Sequence, residues 1–426
     1  MSAIDKLSAI DNGLLRFLTC GSVDDGKSTL IGRLLYDTKA ILADALHAIE
    51  RTSRRRGLDG IDLSLLTDGL SAEREQGITI DVAYRYFSTG RRKYIIADAP
   101  GHEQYTRNMV TAASTADLAI ILVDARKGVL TQTRRHSCIA QLLGIRHLVI
   151  AVNKMDLVSY SQEVFETVQR DYLAFAGRIG IDGVRFVPLS ALAGDMVADR
   201  GERLPWYRGS TLLEILESAP AAHSEVAEPF RFPVQYVCRP QASDDRALHD
   251  FRGYMGRVDS GTIAAGDEIR ALPSGGVARV REIRSGDRPL PGASAEQSVT
   301  LLLDRELDIS RGDMLVAATD ALQPKKQLDA MLCWLSEAPL DLNRRYSLRH
   351  TTREVKAVAT DIDHRLDINT LQCEAAPRLQ MNDIGRVSFK LAQPVCADAY
   401  ALNRSTGAFI VIDEASNNTV GAGMIV

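Results

Sequence analysis

The 426-residue sequence contains few cysteines, and they follow no pattern. The six that are present are scattered and form no C-x-x-C pair, which argues against a zinc knuckle and against a disulfide framework. A run of about eighteen apolar residues, as a membrane-spanning helix needs, is also missing. Residues 1–6 show no signal-peptide pattern, and a net charge of −4 gives no general attraction to nucleic acid. We therefore expect a cytoplasmic protein without a membrane anchor, for which nucleic acid is not the natural partner.

A glycine-rich stretch near the N-terminus carries the strongest signal. Residues 21–28 read G-S-V-D-D-G-K-S, which fits the phosphate-binding P-loop pattern G-x-x-x-x-G-K-[ST]. Residues 14–20 before it form an apolar run of strand length, and residues 29–36 after it have helical spacing. Strand, loop and helix in this order direct backbone N–H groups at a polyphosphate, whereas an isolated glycine turn would bind nothing. The predicted phosphate-binding residues are Gly21, Ser22, Val23, Asp24, Asp25, Gly26, Lys27, Ser28 and Thr29.

Separate roles follow for individual residues around this loop. We expect Lys27 to reach the β- and γ-phosphates and to act in catalysis, and the hydroxyl of Ser28 to ligate Mg²⁺. Asp98 ends a predicted buried strand over 94–97, where an acid contacts Mg²⁺ through water in P-loop nucleotidases. Gly101 has no Cβ to keep its N–H away from the γ-phosphate.

Two later segments indicate that the base is guanine. An N-K-x-D motif follows a predicted strand over 148–152, and its carboxylate can accept two hydrogens from the N1–H and N2–H₂ edge that adenine lacks. A further predicted strand, 184–187, leads to S-A-L, whose backbone can contact the guanine carbonyl. The predicted base-binding residues are Asn153, Lys154, Asp156, Ser190, Ala191 and Leu192. N-K-x-D alone occurs by chance, but four motifs in this order, each after a strand, predict a GTP site.

The pattern of elements changes along the chain. Up to about residue 220, strands alternate with helices, as a mostly parallel sheet with helices on both faces requires. Its last helix is predicted over 211–217 with Ser210 as its cap. From Phe230 onward, short runs separated by turn residues predict two antiparallel β-barrels, with 251–258 and 261–267 spaced as strand, turn and strand. The predicted domains are an α/β P-loop GTPase domain over 1–223 and barrels over 229–323 and 327–426.

The motif order resembles the translational-factor class of GTPases, which includes elongation factor Tu. The segment Q-G-I-T-I at 76–80 is similar to switch I of that class, and the resemblance implies that Thr79 ligates Mg²⁺ and acts in catalysis. His102 falls on the position of the catalytic histidine. Val23 and Ile78 match the apolar pair that restricts this histidine's access to the attacking water.

Within that class, the chain is more similar to the GTPase subunits of bacterial sulfate adenylyltransferase. The similar segments are 21–39, 68–89, 98–114 and 412–425. Ser22 stands where elongation factor Tu usually has histidine, which favours the sulfate-activating relatives over a carrier of aminoacyl-tRNA. The resemblance implies GTP and Mg²⁺ as ligands and a smaller partner of the ATP-pyrophosphatase type, which makes adenylyl sulfate from ATP and sulfate. Residues 273–277, which resemble the loop of such pyrophosphatases only faintly, are predicted to form a turn.

Overall fold

The protein folds into two compact units in the computed structural model. The first comprises Met1–His223 with Ile368–Leu371, and the second comprises Ser224–Asp367 with Gln372–Val426. The structure describes residues 13–41, 43–55, 61–66, 81–102, 105–220, 227–240, 251–368 and 370–426. The predicted switch I residues Thr79 and Ile78 lie outside these described ranges. Within them, no helix combines the length and the apolarity that crossing a bilayer requires.

The first unit alternates strands and helices. Its strands are β1 (Leu14–Cys20), β2 (Ala83–Ser88), β3 (Lys93–Asp98), β4 (Leu118–Asp124), β5 (His147–Asn153) and β6 (Arg185–Pro188). Its helices are α1 (Lys27–Asp37), α2 (Ala43–Arg55), α3 (Thr106–Ala113), α4 (Thr131–Leu142), α5 (Gln162–Ala176) and α6 (Leu212–Ser218). Short 3₁₀ helices cover Leu63–Leu66, Met155–Val158 and Gly177–Ile179.

These strands form one sheet in the order β2-β3-β1-β4-β5-β6. All neighbours are parallel except β2, which runs antiparallel to β3. The central strand β4 is buried at every position, which explains its continuous apolar sequence L-A-I-I-L-V-D. The predicted mostly parallel α/β domain is confirmed. Because the strands are parallel, the loops that follow β1, β3, β4, β5 and β6 meet at one edge of the sheet.

The start of α6 corrects one prediction. The N-cap is Thr211 rather than Ser210: the Thr211 hydroxyl accepts the backbone N–H of Glu214 at 3.2 Å. In return the Glu214 carboxylate accepts the backbone N–H of Thr211 at 2.8 Å. This reciprocal pair needs a T-x-x-E spacing, which Ser210 cannot provide because Leu213 follows it at that distance.

The second unit contains both barrels. The region of the first barrel contains β7 (Arg231–Cys238), β8 (Gly253–Arg257), β9 (Thr262–Ala264), β10 (Glu268–Leu272), β11 (Val277–Ser285), β12 (Arg288–Leu290), β13 (Gly292–Ser294), β14 (Ser298–Leu303) and β15 (Met314–Ala317). Of these, β9 and β13 form a separate two-stranded sheet. Strands of the second are β16 (Lys325–Trp334), β17 (Arg345–His350), β18 (Arg353–Leu366), β19 (Cys373–Glu374), β20 (Ile384–Val395), β21 (Ala408–Asp413) and β22 (Thr419–Ile425). Pairing of β10 with β11 closes the first barrel, and pairing of β17 with β18 closes the second, which confirms the predicted antiparallel barrels.

Two local predictions in the first barrel have different outcomes. The runs 251–258 and 261–267 both contain strands, but these strands do not pair with each other: β8 lies between β7 and β14, and β9 pairs with β13. Period-two spacing identifies a strand without identifying its partner. Residues 273–276 connect β10 to β11 as a turn, as predicted.

All six cysteines are free thiols.

Candidate nucleotide-binding site

The P-loop connects β1 to α1 in a shape that its glycines permit. Gly26 has φ +94° and Asp24 has φ +66°, both in the left-handed region that glycine adopts without strain. A Cβ on Gly21 would lie 2.9 Å from the carbonyl oxygen of Leu122. The Asp25 carboxylate accepts the backbone N–H of Ser22 at 2.6 Å, a hydrogen bond between two residues of the same loop that stabilises its conformation. Ser28 and Thr29, both half-buried, stand in the first turn of α1.

Lys27 is buried at the centre of this loop. Its Nζ donates to the carbonyl oxygens of Gly21, at 3.0 Å, and of Ser22, at 2.9 Å. Burial lowers the pKa of Lys27, although the charges of Asp98 and Asp25 act in the opposite direction. A Cβ on Gly101 would lie 2.5 Å from Lys27 Nζ and 2.6 Å from the Gly21 oxygen. The loop after β3 can therefore approach the P-loop this closely only because residue 101 is glycine.

Two further residues predicted for the phosphate side lie at the end of β3 and in the loop after it. Asp98 is buried at the end of β3, and its carboxylate accepts the Thr19 hydroxyl at 3.3 Å. His102 directly follows Gly101 and is exposed, and the centroid of its ring lies 6.1 Å from the centroid of the Tyr105 ring. Val23 is half-buried in the P-loop. The structure thus places Asp98 at the end of β3 and His102 on the loop that follows it, which touches the P-loop.

The N-K-x-D segment is tied directly to the P-loop. Asn153 donates its side-chain amide to the carbonyl oxygen of Asp25 at 2.8 Å and accepts the backbone N–H of Ala191 at 2.9 Å. Lys154 donates its ammonium to the carbonyl oxygen of Asp24. One amide and one ammonium therefore join the loops that follow β1, β5 and β6. A side chain on Gly26 would collide with the Asn153 amide.

The predicted guanine carboxylate is positioned by the loop after β6. Asp156 is half-buried and accepts the Ser190 hydroxyl at 2.6 Å. The same hydroxyl accepts the backbone N–H of Ala193 at 3.2 Å. Leu192 keeps 70% of its surface exposed. Asp156 and the S-A-L segment therefore form one hydrogen-bonded group.

Sequence reasoning missed two residues that shape this site. Arg33 of α1 donates Nε to the carbonyl oxygen of Ala191 at 3.2 Å and Nη2 to that of Leu192 at 2.6 Å. Asp124 pairs with Lys154 at 3.1 Å. No sequence motif includes Arg33. Asp124, however, ends an apolar strand as Asp98 does, and this shared position could have identified it as a site residue.

Two buried polar atoms of the P-loop have no hydrogen-bond partner among the described residues. They are Ser22 Oγ and Asp25 Oδ1. Burial raises the pKa of Asp25 more than the nearby Lys27 lowers it. Buried polar groups without a partner are uncommon in folded proteins and often mark functional sites. The buried ammonium of Lys27 and the N-terminus of α1 suit a polyphosphate.

Two family models match this chain. The family model described as the elongation factor Tu GTP-binding domain matches residues 12–221, and the GTP-eEF1A C-terminal domain-like model matches residues 327–426. The crystal structure of sup35 complexed with GMPPNP covers 97% of this chain and 94% of its own, at 23% identity and a TM-score of 0.43.

Curated relatives are far more similar in sequence. Sulfate adenylyltransferase subunit 1 of Cellvibrio japonicus is 55% identical over 97% of this chain and 86% of its own length. The protein of the same name from Alteromonas mediterranea is 54% identical over 97% of this chain and 87% of its own, and that from Laribacter hongkongensis is 53% identical over 97% and 85%. The chain carries a GTP-binding domain and belongs to the family of sulfate adenylyltransferase subunit 1.

Proposed function

We propose that this chain is the GTPase subunit of a sulfate adenylyltransferase, in which GTP hydrolysis drives a partner to form adenylyl sulfate (APS) from ATP and sulfate. The observation that carries the proposal is the hydrogen bonding between the P-loop and the N-K-x-D segment. Asn153 and Lys154 donate to P-loop carbonyls, and the same loop holds the buried Lys27. The relatives, all called sulfate adenylyltransferase subunit 1, supply the reaction to which this GTPase is coupled.

In the proposed site, the P-loop N–H groups and Lys27 bind the β- and γ-phosphates. The oxygen donors Ser28, Thr79 and Asp98 suit Mg²⁺, with Asp98 acting through water. When bound, this ion neutralises charge that develops on the phosphate oxygens. The cofactor set is thus GTP or GDP with Mg²⁺, and catalysis is mainly positioning and electrostatics.

His102 is proposed to orient the attacking water. The water oxygen bonds to the γ-phosphorus, the bond from that phosphorus to the bridging oxygen breaks, and GDP leaves with the bonding electron pair. One proton of the water passes to an oxygen of the inorganic phosphate that forms. Val23, together with Ile78, would restrict the histidine until the switch segments order. Loss of the γ-phosphate then releases these segments, which is the change that lets such a GTPase act on a partner.

The base is proposed to bind at the segment that follows β5. Asp156 accepts the N1–H and N2–H₂ donors of guanine, and the Ser190 hydroxyl at 2.6 Å fixes its orientation. The backbone of Ser190, Ala191 and Leu192 contacts the guanine carbonyl.

The partner is proposed to be a smaller catalytic subunit of the ATP-pyrophosphatase type, joined to this chain as a heterodimer in the cytoplasm. Joining sulfate to the α-phosphate of ATP makes a phosphosulfate anhydride, which is strongly uphill when pyrophosphate is the other product. GTP hydrolysis can drive that step if the partner binds the GTP and GDP states differently. We assign GTP binding to residues 1–223 and the two barrels to 229–323 and 327–426.

Reconstitution with labelled sulfate tests this function. The chain alone is expected to hydrolyse GTP slowly and to make no APS. With the partner, GTP turnover rises and APS accumulates beyond the level seen with GDP or with a non-hydrolysable GTP analogue. Equal APS with GTP and without any guanine nucleotide, both in the presence of ATP, would refute the coupling. Tight GTP-dependent binding of charged tRNA would instead identify an elongation factor Tu-like carrier.

A further inference from the structure

Asp124 is a buried carboxylate that the sequence motifs of the nucleotide site do not include. It ends β4 in register with Asn153 of β5, and its side chain has 0% exposure. We propose that Asp124, locked by Arg126, positions Lys154 and thereby sets how long a guanine nucleotide stays bound. This inference rests on the GTP site proposed above. Asp124 is a positioning residue in it, because it acts through Lys154.

Arg126 holds the carboxylate in one orientation. Its backbone N–H and its Nε both donate to Asp124 Oδ1 at 3.0 Å, and its Nη2 donates to Oδ2 at 2.6 Å. Burial alone would raise the pKa of Asp124, but the hydrogen bonds from Arg126 and Lys154 outweigh it and hold the pKa well below its usual range. Asp124 is therefore ionised at neutral pH and has both oxygens in fixed positions.

The second oxygen is directed at Lys154. The Lys154 ammonium lies 3.1 Å from Asp124 Oδ2 and also donates to the carbonyl oxygen of Asp24 in the P-loop. An ammonium has three donors, and these contacts use two of them. The ammonium is thus held between the end of β4 and the loop that binds phosphate.

The backbone of Lys154 makes this support necessary. Lys154 has φ +64°, a left-handed conformation that costs a non-glycine residue free energy and persists where the surroundings determine it. Its neighbour Asn153 has a separate anchor, because its carbonyl accepts the backbone N–H of Ala125 at 2.9 Å. Asp124 and Ala125, adjacent in sequence, therefore hold the side chain of Lys154 and the backbone of Asn153.

The expected consequence is kinetic. Without Asp124, the four-carbon side chain of Lys154 would lose its fixed position, and the contact between the base segment and the P-loop would open more often. Nucleotide would then dissociate faster. The choice of guanine would not change, because it depends on Asp156, whose contact with Ser190 is independent of Asp124.

The test measures dissociation of fluorescently labelled GDP from the full chain. Asp124→Asn and Lys154→Met are each expected to accelerate dissociation at least about tenfold, the scale for truncating one partner of a buried charge pair. If Asp124 acts through Lys154, the double variant dissociates no faster than Lys154→Met alone. Arg126→Met keeps the carboxylate and is 46% exposed in the wild type, so it folds readily and gives a smaller acceleration.

Asp117→Asn is the matched control. Asp117 lies just before β4, at the opposite end of the same strand, and its carboxylate accepts the backbone N–H of Arg16 at 2.9 Å. This variant is expected to release labelled GDP at the wild-type rate. Faster release from it would mean that any damage to β4 has this effect, and would overturn the assignment to Asp124.

The remaining outcomes separate this inference from the proposed site. If Lys154→Met accelerates dissociation and Asp124→Asn does not, Asp124 has no positioning role. If the double variant released labelled GDP faster than Lys154→Met alone, by the product of the two single accelerations, Asp124 would not act through Lys154. If Asp124→Asn alters the preference for GTP over xanthosine triphosphate, it disturbs the whole base site and the positioning role fails. A wild-type rate in Lys154→Met would refute the role of Lys154 in nucleotide retention, whereas failure of the wild-type chain to bind labelled GDP would refute the proposed nucleotide site itself.

Discussion

Buried charges are used differently in the two units. In the first, Lys27 contacts neutral loop carbonyls, its pKa is lowered by burial, and the nearby Asp25 Oδ1 has no hydrogen-bond partner among the described residues. In the second, Arg231 is satisfied by charged partners: Nε and Nη2 donate to Asp398 at 2.9 Å and Nη1 donates to Asp320 at 2.7 Å. The pKa of Arg231 is raised, because these contacts outweigh burial.

The difference shows which charges are structural. Asp398 belongs to the second barrel and Arg231 to the first, so their fork-shaped pair joins the barrels within the second unit. Asp398 also accepts the Thr406 hydroxyl at 2.5 Å. A buried cation with complete charged partners, such as Arg231, holds a fold together, whereas a buried cation that contacts weak neutral acceptors, such as Lys27, can exchange them for a ligand.

Removing Arg231 is expected to give the largest effect. Arg231→Met leaves Asp398 and Asp320 without their counter-ion, which should lower the free energy of unfolding of the barrels by about 3–5 kcal/mol. The sequence contains two tryptophans, and Trp206→Phe leaves Trp334 of β16 as a fluorescent reporter of the barrel unit in urea unfolding.

The exposed pair of Arg257 and Glu296, 49% and 53% exposed, supplies the control for that measurement. Arg257→Met should change the free energy of unfolding by less than about 1 kcal/mol. Similar losses in both variants would contradict the structural role of Arg231.

Lys27→Ala should have the opposite signature. We expect GTP and GDP affinities to fall at least about 100-fold, because charged hydrogen bonds to phosphate are lost. The nucleotide-free unit should be no less stable, since burial disfavours the charged form of Lys27. Calorimetric titration with GDP measures the affinity, and Lys93→Ala, which changes an exposed lysine at the start of β3, is the control. A stable Lys27→Ala variant with wild-type affinity would remove Lys27 from the phosphate site.

His102 separates chemistry from binding. Because its ring is exposed and is proposed to orient water, His102→Ala should leave GTP affinity nearly unchanged and slow hydrolysis by about two orders of magnitude. Phosphate release is measured in the reconstituted complex. Hydrolysis at the wild-type rate there would show that another residue orients the water.

Asp156→Asn is expected to weaken nucleotide binding less than Lys27→Ala does and to change the specificity for the base. Asp156→Asn should weaken GTP binding about ten- to a hundredfold, the scale for the loss of hydrogen bonds to a charged group. It should favour xanthosine triphosphate, because xanthine has a carbonyl where guanine has its amino group. Competition among GTP, ATP and xanthosine triphosphate measures the preference, and an unchanged order would exclude Asp156 from the guanine site.

The parts of the fold that could be predicted are those encoded locally. An apolar run followed by a glycine, an acid or the N-K-x-D motif marks the carboxyl end of a parallel strand, so β1, β3 and β5 could be predicted together with the loops after them. The N-cap at Thr211 could also be predicted from the T-x-x-E spacing between Thr211 and Glu214, although we predicted Ser210. These signals depend on residues a few positions apart.

What could not be predicted depends on distant partners. The pairing of β9 with β13 joins strands with three others between them in sequence. Arg33 contacts Ala191 and Leu192 across more than 150 residues, and Arg231 contacts Asp398 across 167. No local pattern names such partners, because the fold has to bring them together first. The phosphate and base roles of the site residues stay predictions until the variants above are measured.

The contacts of Lys27 have a further consequence for selectivity. Its ammonium already holds the carbonyl oxygens of Gly21 and Ser22, at 3.0 and 2.9 Å. An incoming molecule must displace these acceptors, so binding reflects only the difference between the new acceptor and a peptide carbonyl. A doubly charged phosphate wins that exchange, whereas the hydroxyl of an unphosphorylated nucleoside does not. Guanosine should therefore compete poorly with GDP even though it carries the entire recognised base.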